Sequence, residues 1–368
     1  LKKVHHILIS LVLLFVIAPW YPTSTAAAYD GQTLDTGIYW FGSGNVSQKF
    51  IAGQSNSYFG ASKPTLIYIH GWQKDTTASL FRETFNPKRN DATNGPDVNT
   101  VNYWVSKGWN VGIFYWNQLA DEGEVKDAEA KIWTSSGPQG MRWRKKDGTY
   151  STAGAPTVSA AQLFVNTYKQ AMQGFTGSEV RFAGHSLGNQ LVTNSAKLIS
   201  DQVDGGTIAT NLRPKRVALL DPFWSKDAKS YLGNKWTGEL CRQYVTHLKT
   251  KGVAFEQYKS SAITDVGIGD SNNGMIQLTA FAELKPWYIS ATDQGGKHGA
   301  ARDWYFYSMG FGAPAEIQNG AATGLTGASA ATATTRIQTM MNSSNRWYQD
   351  AGQNSADPSD DKFEVISR

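Results

Sequence analysis

The nine residues Val180–Arg181–Phe182–Ala183–Gly184–His185–Ser186–Leu187–Gly188 run from an apolar stretch through Gly-x-Ser-x-Gly into a helical pattern that continues to about Ser200. A chain containing them has to turn sharply from strand to helix at a serine. Such a turn strains the backbone at Ser186, and side chains at 184 and 188 would collide with the neighbouring strand and helix. The strain lifts the Ser186 hydroxyl to the carboxyl edge of a sheet. It also places the Leu187 amide at a helix N-terminus, aimed at any negative charge developing beside the serine.

The 368 residues are enough for one large α/β domain. Thirteen Trp and 36 Gly point to aromatic surfaces and long loops. The net charge of +5 is small for this length and scattered along the chain, which argues against a nucleic-acid partner. Residues 1–28 read as an export signal: Lys2 and Lys3 precede the apolar run Ile7 to Ala18, and Ala26–Ala27–Ala28 supplies small residues for cleavage. A secreted, extracellular protein is therefore expected, its mature part spanning 29–368. No other run is long and apolar enough to cross a bilayer. Cys241 is the single cysteine, so no intramolecular disulfide forms, and nothing nearby would activate its thiol.

Along the chain, residues 29–62 alternate Gly, Ser and aromatics, as edge strands or loops do. Leu66–Ile69 is a continuous apolar run of the kind buried in a parallel sheet, and it ends at His70–Gly71–Trp72. Residues 76–86 and 99–107 are helix candidates, followed by a strand from Trp109 to Trp116. Residues 117–157 form a polar, Gly-rich insertion around Arg142–Trp143–Arg144–Lys145–Lys146, expected as a solvated loop with some potential for contact with an anionic lipid surface. Ser159 and Gln162 make a capping box for a helix whose Ala160, Phe164, Tyr168 and Met172 share one face. Arg216 to Leu220 reads as another buried strand ending at Asp221–Pro222, and Val253 to Tyr258 as one more. His298 is expected in a flexible Gly-Gly-Lys-His-Gly loop ahead of a helix from Ala300 to Met309. Ala, Thr and Gly dominate 310–335, and no structure is expected over 318–335. This alternation of strands and helices predicts one mostly parallel α/β sheet flanked by helices, in a single domain.

A serine hydroxyl is a weak nucleophile, so it needs a base to take its proton and a carboxylate to orient the base. The candidates follow Ser186 in the order acid, then histidine. Asp221 stands where a strand ends; Asp265 is the alternative. His298 is preferred as the base over His247, which lies only just ahead of a strand. His70 precedes both serine and acid and suits a loop that binds the oxyanion, and His185 is expected to point elsewhere. Asp/Asn-rich loops at 91–97 and 265–273 lack the ligand spacing of a calcium loop, so neither metal nor cofactor is implied.

Ile69–His70–Gly71–Trp72, Gly184–Gly188, Leu219–Leu220–Asp221–Pro222, and His298 followed by Arg302 and Trp304–Tyr305–Phe306–Tyr307 together resemble the pancreatic-lipase-like family of secreted α/β-hydrolases, in the family's order over roughly residues 64–310. The resemblance implies an α/β-hydrolase fold and a Ser186–His298–Asp221 triad, with the amides of Trp72 and Leu187 as oxyanion donors. It implies a secreted lipase that hydrolyses acylglycerol esters through an acyl-enzyme. Phospholipase A1 or a carboxylesterase acting on soluble esters would use the same residues. A non-catalytic lipid-binding protein on this scaffold is a further alternative, though such a protein should lack the nucleophile or the base. Trp116, Trp224 and the 275–289 segment have the apolar character of an acyl groove and a mobile cover, and the aromatics among them equally fit a place in the core. The disulfides of the animal members and their C-terminal β-sandwich have no counterpart in this sequence.

Overall fold

The computed structural model describes residues 29–90, 95–265 and 269–368. The expected export signal lies outside them, as do parts of both Asp/Asn-rich loops. Twelve strands form one sheet: β1 (Gly37–Gly42), β2 (Val46–Lys49), β3 (Thr65–Ile69), β4 (Asn110–Tyr115), β7 (Val180–His185), β8 (Arg216–Leu220), β9 (Ala254–Lys259), β10 (Ala280–Glu283), β11 (Ala315–Gln318), β12 (Ala321–Thr326), β13 (Asn345–Ala351) and β14 (Lys362–Ser367). A separate two-stranded hairpin pairs β5 (Trp143–Arg144) with β6 (Tyr150–Ser151). The spatial order is β12-β11-β14-β13-β10-β9-β8-β7-β3-β4-β1-β2. Strands β4 through β13 in that row run parallel, and antiparallel pairs close both ends.

The central strands are buried on both faces because helices cover both faces. Every residue of β3, β7 and β8 is buried. Helices Ala160–Ala171, Gly188–Asp204 and Thr237–Thr250 pack side by side. The first is capped as expected, with Ser159 Oγ accepting from Gln162 N at 3.3 Å and Ala160, Phe164, Tyr168 and Met172 all buried. From β3 the chain first builds β4 on one side and then crosses to β7 on the other. The sheet therefore has its topological switch at the carboxyl ends of β3 and β7, where such sheets leave a crevice.

Outside the candidate site, four segments differ from the sequence expectation. Residues 74–80 form turns, and only Pro87–Asn90 follows as a helical turn, so 76–86 is not a helix. The 117–157 insertion is folded rather than solvated. It carries helices Asn117–Ala120 and Val125–Trp133, and at its centre the buried Glu122 carboxylate binds Lys131 Nζ at 2.6 Å and Arg142 through both Nε and Nη2. The Ala/Thr-rich stretch is ordered as well. Ala328, Ser329, Ala330 and Thr332 are buried, and the carbonyls of the last three receive arginines from the sheet. Arg216 reaches Ser329 O at 2.6 Å and Thr332 O at 2.5 Å while forking onto Glu256, and Arg181 reaches Ala330 O at 2.8 Å. Small side chains let this backbone approach the guanidinium groups closely. Finally, the 275–289 segment contributes core strand β10 instead of a mobile cover.

Candidate active site

Ser186 leaves β7 with φ of 56°, a left-handed conformation that costs a non-glycine residue about 1–3 kcal/mol and persists only when its surroundings enforce it. They do so through hydrogen bonds to both its amide and its carbonyl. Ser186 N donates to Leu220 O at 3.1 Å, Phe223 N donates to Ser186 O at 3.3 Å, and the Asn189 side-chain amide donates to the same carbonyl. Two glycines allow the loop after β3 to lie against this turn. A Cβ on Gly188 would sit 2.1 Å from Ile69 O, and one on Gly71 would sit 2.6 Å from Ser186 Cβ and 3.2 Å from Leu187 N. The His70–Trp72 loop and the Leu187 amide thus lie on one side of the serine.

That loop is fastened from behind. His70 is fully buried, and burial lowers its pKa to about 4, so its ring is neutral. Its Nδ1–H donates to Gly71 O at 3.0 Å and its Nε2 accepts from Trp116 N at 3.2 Å, which settles the tautomer. The Trp116 indole stacks on the His70 ring and donates to His70 O at 2.9 Å. Trp72 is half-buried and donates its indole N–H to Glu122 O at 2.7 Å. Trp116 and Trp224 are 0% and 1% exposed, so neither lines an acyl groove. Trp116 supports the loop instead.

Asp221 follows β8 with φ of 38°. Its Oδ1 accepts from Ser260 N at 2.8 Å and Ser261 N at 3.2 Å, and its Oδ2 accepts from Ser261 Oγ and from His298 Nδ1 at 2.6 Å. Asp265, the alternative acid, is bonded to Lys259. His247 sits in the last turn of Thr237–Thr250, away from these groups.

His298 does not lie in a loop. It belongs to the helix Gln294–Ser308, which starts earlier than its two glycines suggested because the Asp293 carboxylate caps Gly296 N at 2.8 Å. Ser260 Oγ bridges the same turn, donating to Lys297 O at 2.6 Å and accepting from Ala301 N at 3.2 Å. His185 was expected to point elsewhere. Its ring in fact lies 4.4 Å from that of His298, with Nε2 3.0 Å from the His298 carbonyl. Burial drives the His185 pKa well below normal, so the neutral ring donates Nε2–H to that carbonyl. Ser186, Asp221 and His298 are thereby gathered at one sheet edge, with Ser186 and His298 part-exposed and Asp221 buried. His185, Ser260 and Ser261 bond to His298, to Asp221 or to the helix that carries His298, contacts that sequence reasoning missed. The Ser-Ser pair immediately after β9 was the signal available for two of them.

Among the described residues, no group of three or more His, Cys, Asp or Glu is assembled to hold a metal. Cys241 is buried, and burial pushes its thiol up to about 12, which leaves it unreactive. No helix among the described residues is long and apolar enough to cross a membrane.

No protein-family model matches the chain, and no curated protein sequence matches it either. Solved structures do. TT1662 from Thermus thermophilus aligns at 13% identity and a TM-score of 0.31, over 59% of this chain and 75% of its own. A lipase-esterase related protein from Clostridium acetobutylicum aligns at 10% and 0.27, over 61% and 78%. An esterase from Pyrococcus furiosus aligns at 11% and 0.25, over 66% and 74%. Likenesses this distant carry no argument about chemistry. The α/β-hydrolase fold of the chain rests on its own strand order, its switch point and its strand–serine–helix turn.

Proposed function

We propose that the chain is an exported serine ester hydrolase acting on acylglycerol lipids, with Ser186 as nucleophile, His298 as base and Asp221 as the acid that orients it. The contact that carries this is His298 Nδ1 to Asp221 Oδ2 at 2.6 Å, beside a serine held at positive φ. With Nδ1 engaged by the carboxylate, Nε2 is the ring nitrogen left to take the Ser186 proton. The serine oxygen then bonds to the ester carbonyl carbon, and the carbonyl oxygen gains the negative charge. The amides of Trp72 and Leu187 are assigned to that oxygen, each donor contributing about 3–4 kcal/mol in comparable enzymes. His298 returns the proton to the departing alcohol, and a water molecule activated by the same ring then hydrolyses the acyl-enzyme.

A lipid substrate is supported by the sequence resemblance and by Trp287. That side chain is 59% exposed just beyond β10, on the edge that carries the serine, and gives an aggregated substrate an apolar contact. Export is supported by the lysine-led apolar run of residues 7–18. A panel of triacylglycerols, phospholipids and dissolved short-chain esters tests the assignment. The expected result is hydrolysis of acylglycerols that accelerates as substrate passes its solubility limit, with Ser186→Ala slower by about 10⁴-fold or more. Preferential release of fatty acid from phospholipid would assign a phospholipase instead. Saturation on dissolved esters without acceleration would assign a carboxylesterase.

A further inference from the structure

Beneath the oxyanion loop lies a second set of charged groups that the triad does not use. Glu83 is 4% exposed, and burial alone would raise its pKa. The Arg302 guanidinium, the His70 ring and the Tyr68 and Gln73 hydrogen bonds together outweigh that and hold the carboxyl below its usual range. Glu83 Oε2 accepts from Tyr68 OH at 2.5 Å, and Oε1 accepts from Gln73 Nε2 at 2.8 Å and faces Arg302 Nη1 at 3.3 Å. Arg302 Nε in turn donates to Asp303 Oδ1 at 2.7 Å. All of these groups are buried.

Two of them have telling places in the chain. Gln73 is the residue after Trp72, whose amide is assigned to the oxyanion, and Arg302 stands one helical turn beyond His298. A Cβ on Gly299 would sit 3.3 Å from Arg302 Nη2, so the guanidinium lies back along the helix toward the base. Taking these charges out of water is costly, and apolar residues of similar volume often stabilise a core as well or better. Stability alone therefore does not call for an ion pair here. A fork of charge-assisted bonds does fix a separation more sharply than apolar packing, which tolerates sliding.

We propose that Gln73, Glu83 and Arg302 form a strut that sets the distance between the Trp72 amide and the His298 imidazole. They are positioning residues for the hydrolase proposed above, and the inference rests on that function. Donor and base have to meet one tetrahedral centre, and a misplacement of about 1 Å can cost 10²-fold in rate. Gln73→Met cuts the link to the loop while leaving every charge paired. Arg302→Lys keeps the charge and loses the planar fork.

The test is steady-state hydrolysis of a p-nitrophenyl ester by the full chain, run together with thermal unfolding. For Gln73→Met the expected result is a kcat lower by about 10–100-fold, with KM within twofold and an unfolding midpoint near wild type. The rate of fluorophosphonate labelling should fall in parallel. Arg302→Lys is expected to keep more kcat than Arg302→Met. If Arg302→Met does not fold, Gln73→Met decides alone. Wild-type kcat in Gln73→Met, or a loss confined to KM, overturns the strut. Ser186→Ala run alongside separates the two claims, because hydrolysis surviving in that variant sinks the enzyme assignment itself.

Discussion

At the scale of single residues, burial decides what each histidine can do. His298 is part-exposed and hydrogen-bonded to Asp221, whereas His70 and His185 are enclosed and neutral. The neutrality of His70 has a thermodynamic consequence. Its pKa is about 4 in the folded protein, against about 6.5 in an unfolded chain. Below pH 6.5 the unfolded state binds the extra proton and the folded state does not. The stability contribution is therefore complete above pH 6.5 and is lost as pH falls toward 4. Between pH 7.5 and 4 the loss from His70 alone should be about 3 kcal/mol. Urea unfolding of wild type and His70→Gln at both pH values measures it. The variant is expected to be less stable at neutral pH and to lose less on acidification, and parallel losses in the two proteins would rule out a buried neutral His70.

At the scale of elements, the 117–157 segment shows how a polar stretch becomes part of the core. Glu122 and Lys131 have side chains 0% and 1% exposed, while Arg142 remains 28% exposed. The same Glu122 holds Trp72 through its carbonyl, so the insertion braces the His70–Trp72 loop. Breaking a buried pair by removing one partner typically costs about 3–5 kcal/mol, and a partly exposed pair costs much less. Lys131→Met should therefore lower unfolding free energy far more than Arg142→Met, as read by chemical denaturation. Equal costs would mean that Glu122 is reached by water and that the insertion is not a brace.

At the scale of the whole molecule, legibility in the sequence followed the distance between partners. The turn at Ser186 was readable because the strained residue and its tolerant glycines are adjacent, and Asp221 because a carboxylate straight after a buried strand emerges at the sheet edge. The parallel core was readable from β3, β7 and β8, whose apolar runs need no partner to be recognised. The strap at 328–332 was not, because its carbonyls are held by Arg216 and Arg181, more than 100 residues earlier in the chain. The start of the helix Gln294–Ser308 was hidden for a similar reason: Gly295 and Gly296 each disfavour helix by about 1 kcal/mol, and the Asp293 cap and the Ser260 bridge offset them. Trp116 was open between groove and core, because an aromatic after a strand looks the same in sequence whether it lines a groove or backs a loop.

The central claim is that groups from β7, from the end of β8 and from the helix Gln294–Ser308 converge to activate one hydroxyl. It is tested most directly by fluorophosphonate modification of the full chain, followed by peptide mapping. The account predicts a stoichiometric adduct on Ser186, with a labelling rate lowered by about 10³-fold or more in His298→Ala and in Asp221→Asn. An adduct on another residue, or wild-type labelling of Ser186 in both variants, would contradict it.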